Sequence, residues 1–244
     1  MSAAFAVYHR EMLLLRRRMT RLAASMAVSP ALYLAAFGYG LGRDVHLDGH
    51  SYIAFLLPGL VAMTSMMQAF AIASDINISR FYWHVFDEIQ TAPVSALAYV
   101  AGETLAGVTR ALLGVVVVVL LGAVFGVRMA CGPWFWLAVF LNAFVFAALA
   151  VSAAMLLRSH SDQMLPSSFV ITPMVFLGGT FFPVDRLPAA LRLPLKLLPL
   201  THGSAAIRSA ALNSQPSAGS LLFMLTLGIG LGLLAVQLVR RARA

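Results

Sequence analysis

The stretch RFYWHVFDEIQTAPVS, residues 80–95, sets aromatics, the acidic pair Asp87 and Glu88, and a proline between two long apolar runs. Read as a helix, it puts Tyr82, Val85, Phe86 and Ile89 on one face, with His84, Asp87 and Glu88 mostly off it. Pro93 ends such a helix because it has no N–H to continue the ladder. The pattern therefore predicts a short amphipathic helix at about 80–93. Its apolar face suits either an anchor in the membrane surface or a knob for a groove in a partner, and the residues alone favour neither.

The flanks decide the fold. The chain has 244 residues, of which 61% are hydrophobic and 11% charged, and its mean hydropathy is +0.88. A soluble chain carries about 25% charged residues. A bilayer core about 30 Å thick needs about 20 apolar residues per helix. Six runs meet that need, at about 23–42, 53–74, 97–126, 134–157, 163–182 and 218–239. No fixed-period repeat, low-complexity linker or separate polar region interrupts them. The expectation is one all-α polytopic membrane domain, 1–244, with six spans.

Charge sets the orientation. Six spans place Arg10, Arg16, Arg17, Arg18, Arg21, Arg80, Arg158, Arg240, Arg241 and Arg243 on one side. The other side holds Arg43 and Arg128 in ordinary loops, plus Arg186, Arg192, Lys196 and Arg208 in one unusual segment. The positive-inside rule then puts both termini in the cytoplasm. The net charge of +8 reads as topology and contact with anionic lipid headgroups, not as nucleic-acid binding.

At the N-terminus, Phe5, Tyr8, Met12, Leu15 and Met19 recur at helical spacing, with Arg10, Glu11 and Arg16 to Arg18 mostly elsewhere around the helix. An amphipathic interface helix at about 3–21 is expected; a basic stop signal for insertion is the alternative. The basic cluster follows the apolar stretch, unlike a cleaved signal peptide, so the first span is expected to be retained. Cys131 is the single cysteine, which leaves no disulfide and no thiolate metal site.

A second unusual stretch is GGTFFPVDRLPAALRLPLKLLPLTHGSAAIRSAAL, residues 178–212. It is too apolar for a free loop, and Pro183, Pro188, Pro194 and Pro199 break it too often for a straight span. Irregular backbone at membrane depth must be enclosed by protein or line a cavity. A re-entrant pair of short helices at about 183–212 is expected, with Arg186, Arg192 and Lys196 turned toward the external interface. Phe181, Phe182, Leu191 and Leu195 then become pathway or gate candidates. A hairpin lying on the surface is the alternative.

Span three carries Glu103 and Arg110, seven residues apart, on similar azimuths but about 10 Å apart along the axis. They cannot pair within the helix, and ionisable groups in a span usually face the bundle interior or a wet cavity. Gly38 with Gly42, Gly122 with Gly126, and Gly228 with Gly232 have the spacing of close helix packing. Phe37, Tyr39, Phe55, Phe70, Phe181 and Phe182 suit packing, with stacking on cargo as the sharper reading.

Several chemistries lack their motifs. The chain has no GxxxxGK[ST] phosphate loop and no HExxH pattern, and its six histidines are scattered. GYGLG at 38–42 ends a span and follows no strand, and THGS at 201–204 lacks a GxSxG elbow. No catalytic residue and no metal ligand is assigned.

HVFDEIQTAPVS after a second span, FLGGTFFPVDRLP closing a fifth and LLPLTHGSAAIRSAAL before a sixth resemble the permease subunits of type-2 ABC exporters. The resemblance covers nearly the whole chain and is strongest to the branch of nodulation-factor, polysaccharide-export and drug-export permeases. It implies a six-span half-transporter that forms a homodimer and binds two separate ABC ATPase subunits. ATP and Mg would sit in those subunits, with no cofactor in this chain. In the family the loop pattern is roughly Gly-Thr-apolar-Glu-Glu-apolar-apolar-x-x-Pro. Phe86, Asp87, Glu88, Ile89 and Pro93 match it, whereas His84 and Val85 replace Gly-Thr. The resemblance makes Tyr82, Val85, Phe86, Asp87, Glu88, Ile89 and Pro93 the coupling helix, and the proline-rich stretch the re-entrant segment. It implies export from the inner membrane of a lipid-linked glycan, a polysaccharide or a lipophilic drug-like cargo. A stand-alone ion-coupled transporter using Glu103 and Arg110, or a membrane scaffold without transport, are the other classes.

Overall fold

The computed structural model describes residues 2–42, 45–47, 49–157 and 159–242. Helix α1 (Ala3–Arg17) leads into α2 (Met19–Tyr33), whose last part widens into a π turn (Leu34–Leu41). A two-residue antiparallel ladder, β1 (His46–Leu47) with β2 (His50–Ser51), turns the chain into α3 (Tyr52–Phe70) and its continuation α4 (Ile72–Phe81). The short α5 (Val85–Thr91) precedes α6 (Ala96–Val124) and α7 (Pro133–Leu156). Next come α8 (Met164–Pro166), a π turn (Ser167–Ile171) and α9 (Thr172–Leu177). Then α10 (Ala189–Leu195) and α11 (Pro199–Ala211) lead to the last helix, α12 (Ala218–Ala242).

Among the described residues five helices are long and apolar enough to cross a membrane: Met19–Gly38, Tyr52–Phe81, Ala96–Val124, Pro133–Leu156 and Ala218–Ala242. The sixth expected crossing falls on a shorter continuous helical run from Ser161 to Leu177, about 26 Å long at about 1.5 Å per residue, which is not among those five. Its shortness has local causes. Pro166 and Pro173 remove helical N–H donors, and the chain reverses at Gly179, whose φ of +78° suits glycine.

The core is built on α7 and α3, the most buried of the five crossings. Ala138, Ala143, Ala147, Ala150 and Ala154 of α7 are fully buried. Small side chains let helices approach where lipid offers no hydrophobic drive between them. The outer helix α12 runs along α7, with Gly228 against Phe144 and Ser152 Oγ donating to the Leu231 carbonyl at 3.1 Å. Of the paired glycines, Gly38, Gly122 and Gly228 sit tight against Ile53, Leu57 and Phe144, while Gly126 and Gly232 meet nothing within 4 Å.

Helix α1 lies across the start of α6. A Cβ at Gly102 would strike Val7 and the Ala4 carbonyl, and the Tyr8 hydroxyl lies 3.2 Å from Thr109 Oγ1. The expected interface helix of about 3–21 is shorter here. It ends at Arg17 with Arg16 and Arg17 in its last turn, where positive charge suits the carbonyl end, and 19–21 belong to the first crossing.

Following the chain, α1 and the last turn of α12 fall at the end of the bundle that holds α5. Arg43, Arg158 and Arg243 of the charge count lie outside the described residues. At the opposite end the proline-rich segment folds inward, as a re-entrant segment before the last crossing. Helix α11 packs against α3 and α7, where Gly203 abuts Asn142. Asn142 Nδ2 in turn donates to the Ala62 carbonyl at 3.1 Å, and Ala130 N donates to the Ala211 carbonyl at 3.1 Å.

Candidate functional site

Three clusters of polar and aromatic side chains stand out, one on the loop beside α5, one in the bundle beside α1 and one at the opposite end. The loop helix is shorter than the expected 80–93. It starts at Val85 because His84 takes a left-handed conformation, φ 53°, that breaks the path from α4. His84 stands where the family pattern places glycine, the residue for which that conformation carries no steric cost. Asp87 and Glu88 occupy the first turn, favourable to the helix dipole, and His84 Nδ1 lies 3.1 Å from Asp87 Oδ2. Pro93 is exposed just past the end, and Ser95 Oγ accepts from Ala98 N at 3.2 Å to cap α6.

Phe86 points inward. It is 4% exposed and meets the Tyr99 ring edge-on at 5.5 Å, under the Arg80 guanidinium at 5.5 Å. Arg80, at the end of α4, also donates to the Ala154 carbonyl on α7, so the loop helix rests on α6 directly and is linked to α7 through α4. Val85 and Ile89 are half-buried. What the loop presents outward is Tyr82, Trp83, Asp87 and Glu88, with the Tyr82 ring edge-on to His160 at 5.5 Å. Tyr82 lies before the helix, so it does not share the face read from the sequence.

The second cluster separates Glu103 from Arg110. Arg110 Nη1 lies 2.6 Å from Asp75 Oδ2, and its Nε donates to Gln68 Oε1 at 3.4 Å. Glu103, 2% exposed, instead lies in the electrostatic reach of Glu11 on α1. Arg10 bonds Glu11 at 3.1 Å and Ser79 Oγ at 3.1 Å. Burial holds the Glu11 carboxyl above the usual carboxylate range, with Arg10 pulling the other way. A cavity of about 130 Å³ opens between α1, α4 and α6, lined by Arg10, Glu11, Arg18, Asp75 and Arg110. Asp75 escaped the sequence reading because the second span was drawn to end at about 74, and α4 carries the helix on to Phe81.

At the far end the Phe181 ring meets Tyr33 at 5.2 Å, Phe37 at 5.5 Å and Phe176 at 5.8 Å. Phe182 is half-buried, Leu195 is buried at 8% exposure, and the side chain of Leu191 lies outside the described set. Arg208 organises this end. Its Nη2 donates to the Gly179 carbonyl at 2.7 Å, its Nε to the Phe55 carbonyl at 3.3 Å, and its guanidinium stacks 3.8 Å from the Phe55 ring centroid. Ser204 Oγ donates to the Gly178 carbonyl at 2.6 Å and the Tyr52 hydroxyl to the Phe181 carbonyl at 2.8 Å. Sequence gave Arg208 only as an external charge. Arg192, expected at the external interface, turns back and donates to the Leu187 carbonyl at 2.9 Å and to that of Asp185.

Five apolar helices of crossing length among the described residues make the chain a multi-pass membrane protein. Residues 2–212 match the model of the ABC-2 type transporter family, and the chain belongs to that family. It is similar to "Nodulation protein J" of Rhizobium meliloti (strain 1021), 33% identical over 192 residues, covering 76% of this chain and 72% of that protein. It is also similar to "Inner membrane transport permease YadH" of Escherichia coli (strain K12), 26% identical over 223 residues, covering 88% of this chain and 86% of that protein. The chain is thus a multi-pass membrane permease subunit of an ABC transporter.

Proposed function

We propose that the chain is one half of an ATP-driven exporter of the inner membrane, with both termini cytoplasmic. Two copies of the chain form the pathway, and two ABC ATPase subunits bind ATP and Mg and supply the hydrolysis. The chain itself carries no nucleotide site in this reading. The observation that supports it most directly is the loop helix α5. Phe86 seats it on Tyr99 of α6 and under Arg80 at the end of α4, and Arg80 in turn holds the Ala154 carbonyl of α7, so a push on its outer face reaches α6 directly and α7 through α4, while Tyr82, Trp83, Asp87 and Glu88 remain turned outward. ATP closes the ATPase subunits, they displace α5, and the crossings rearrange so that cargo leaves outward past Phe181, Phe182, Leu191 and Leu195. The cargo classes consistent with this reading are a lipid-linked glycan, a polysaccharide or a lipophilic drug-like molecule.

A stand-alone ion-coupled transporter would need Glu103 and Arg110 to act as a relay, but Arg110 is already matched by Asp75 at 2.6 Å. The test is an Asp87→Lys, Glu88→Lys variant co-expressed with its candidate ATPase in membranes. The expected outcome is an inserted permease that no longer co-purifies with the ATPase and no longer exports. Normal co-purification and export would remove the coupling role of α5; proton-driven transport by the permease alone would favour the other class.

A further inference from the structure

The cavity of about 130 Å³ between α1, α4 and α6 can be placed in the bilayer by counting along three helices. About 20 residues span the hydrocarbon. Counted back from Val124 on α6 they reach Leu105, counted forward from Tyr52 through α3 they reach Ala71, and counted back from Gly38 they reach Met19. The lining residues Ala106, Ile72 and Leu22 each fall within one turn of those positions. The cavity therefore straddles the edge of the hydrocarbon on the α5 side, where phospholipid headgroups begin. Trp83, 51% exposed, belongs to the same lining and is of a residue type enriched at that level.

Two kinds of side chain meet there. Leu15, Leu22, Ile72 and Ile78 supply an apolar wall, and Arg10, Arg18 and Arg110 supply three guanidinium groups. Both lining carboxylates are already matched, Glu11 to Arg10 at 3.1 Å and Asp75 to Arg110 at 2.6 Å. Arg18 is thus the surplus cation of the lining, exposed at the junction of α1 and α2. Arg10 also donates to Ser79 Oγ on α4 at 3.1 Å, which braces the charged part from both walls. A guanidinium keeps its charge at any working pH, and its fork fits phosphate oxygens. A water needs roughly 10–15 Å³ of such space, so the cavity has room for a phosphate group. An anionic amphiphile satisfies the whole lining, its phosphate on the arginine and its chains along leucine and isoleucine. A choline headgroup brings its own cation and cancels the attraction.

We propose that this cavity is a binding site for an anionic phospholipid of the surrounding bilayer, with its phosphate on Arg18 and its acyl chains leaving along Leu15 and Leu22. The lipid is a resident of the site, and the inference does not depend on what the permease exports. Bound there, it ties the α1–α2 junction to α4, the helix that leads into α5.

The test uses the full chain in phosphatidylcholine vesicles, with Trp134→Phe and Trp136→Phe so that Trp83 is the only tryptophan left. Quenching of its fluorescence is compared for phosphatidylglycerol and phosphatidylcholine, each brominated near the carboxyl end of its acyl chains and added at equal mole fraction. The expected result is a preference for the anionic lipid of at least roughly threefold, the order that one interfacial cation supplies. Arg18→Gln should bring the ratio to about one. Arg16→Gln and Arg17→Gln, at neighbouring positions outside the lining, should leave it unchanged. A ratio near one in the parent chain would overturn the site, and so would an equal fall in all three glutamine variants, which would mean a diffuse attraction to the basic stretch. Arg18→Lys keeps the charge and should keep most of the preference; a fall as deep as that of Arg18→Gln would sink the phosphate assignment. Inorganic phosphate at matched ionic strength separates the two sources of that chemistry. Relief of quenching by phosphate and not by chloride would reveal a free-anion site and overturn the lipid.

Discussion

Arg208 shows how one side chain can hold an irregular segment inside a membrane protein. Its planar fork meets two backbone carbonyls, that of Gly179 outside any helix and that of Phe55 in the first turn of α3, while its flat face covers the Phe55 ring. A lysine has the charge but neither the fork nor the plane. Arg208→Lys is therefore expected to cost about 2 kcal/mol, read as a fall in the thermal midpoint of the purified protein. Arg208→Ala should cost more. The pattern of the sequence could not show this role, because nothing near Arg208 along the chain announces that Gly179 will lie opposite.

Glu11 gives the residue scale a pH dependence. Its carboxyl sits among Arg10, Asp75, Arg110 and Glu103, and burial outweighs the arginines to raise its pKa above the ordinary 4.5. A raised carboxyl pKa means the folded state binds the proton more tightly than the unfolded chain. The destabilisation is then fully present above the folded pKa and is relieved as pH falls toward 4.5. Glu11→Gln should raise the thermal midpoint at neutral pH and gain progressively less as the medium is acidified. A variant gain that grows on acidification would contradict this assignment.

At the scale of elements, the crossings were legible because bilayer thickness dictates an apolar length that a sequence cannot hide. Their ends were less so. Asp75, Asn77, Ser79 and Arg80 read as the beginning of a polar loop, yet α4 keeps them helical because α1, α6, α7 and Gln163 supply their partners. The loop helix was legible as amphipathic, but periodicity cannot say whether the apolar face meets a partner or the permease's own body. Phe86 meets Tyr99. The start of α5 can be tested through His84 at φ 53°. His84→Gly should leave folding and ATPase binding intact, whereas His84→Val, β-branched at positive φ, should lose about 1–2 kcal/mol more and loosen α5. Limited proteolysis between α4 and α6 reads the difference. Equal resistance in the two variants would show that the turn does not govern the helix.

For the whole molecule, arginines clustered at one end predict cytoplasmic termini. With Cys131 replaced, a membrane-impermeant thiol reagent added outside cells should reach Cys at Ser51 and spare Cys at Ser161. The opposite labelling would invert the topology. The re-entrant segment was legible from its four prolines, since no straight crossing tolerates them. The pairing of Asn77 with Gln163 was not, because the two stand 86 residues apart and isolated amides carry no pattern.

The run from Ser161 to Leu177 is about 26 Å long, against a hydrocarbon thickness of about 30 Å. If it crosses upright, lipids beside it must thin by roughly 4 Å, or flanking polar residues must stretch to cover the gap. The permease thus carries a pinched annulus of bilayer along one flank, where an amphiphile has a shorter apolar distance to cross. Reconstitution should make this visible. Export per ATP hydrolysed should be higher in phosphatidylcholines with short acyl chains than in long-chain ones, while ATPase co-purification stays constant. A flat dependence on chain length would mean that a second copy of the permease, and not lipid, covers that flank.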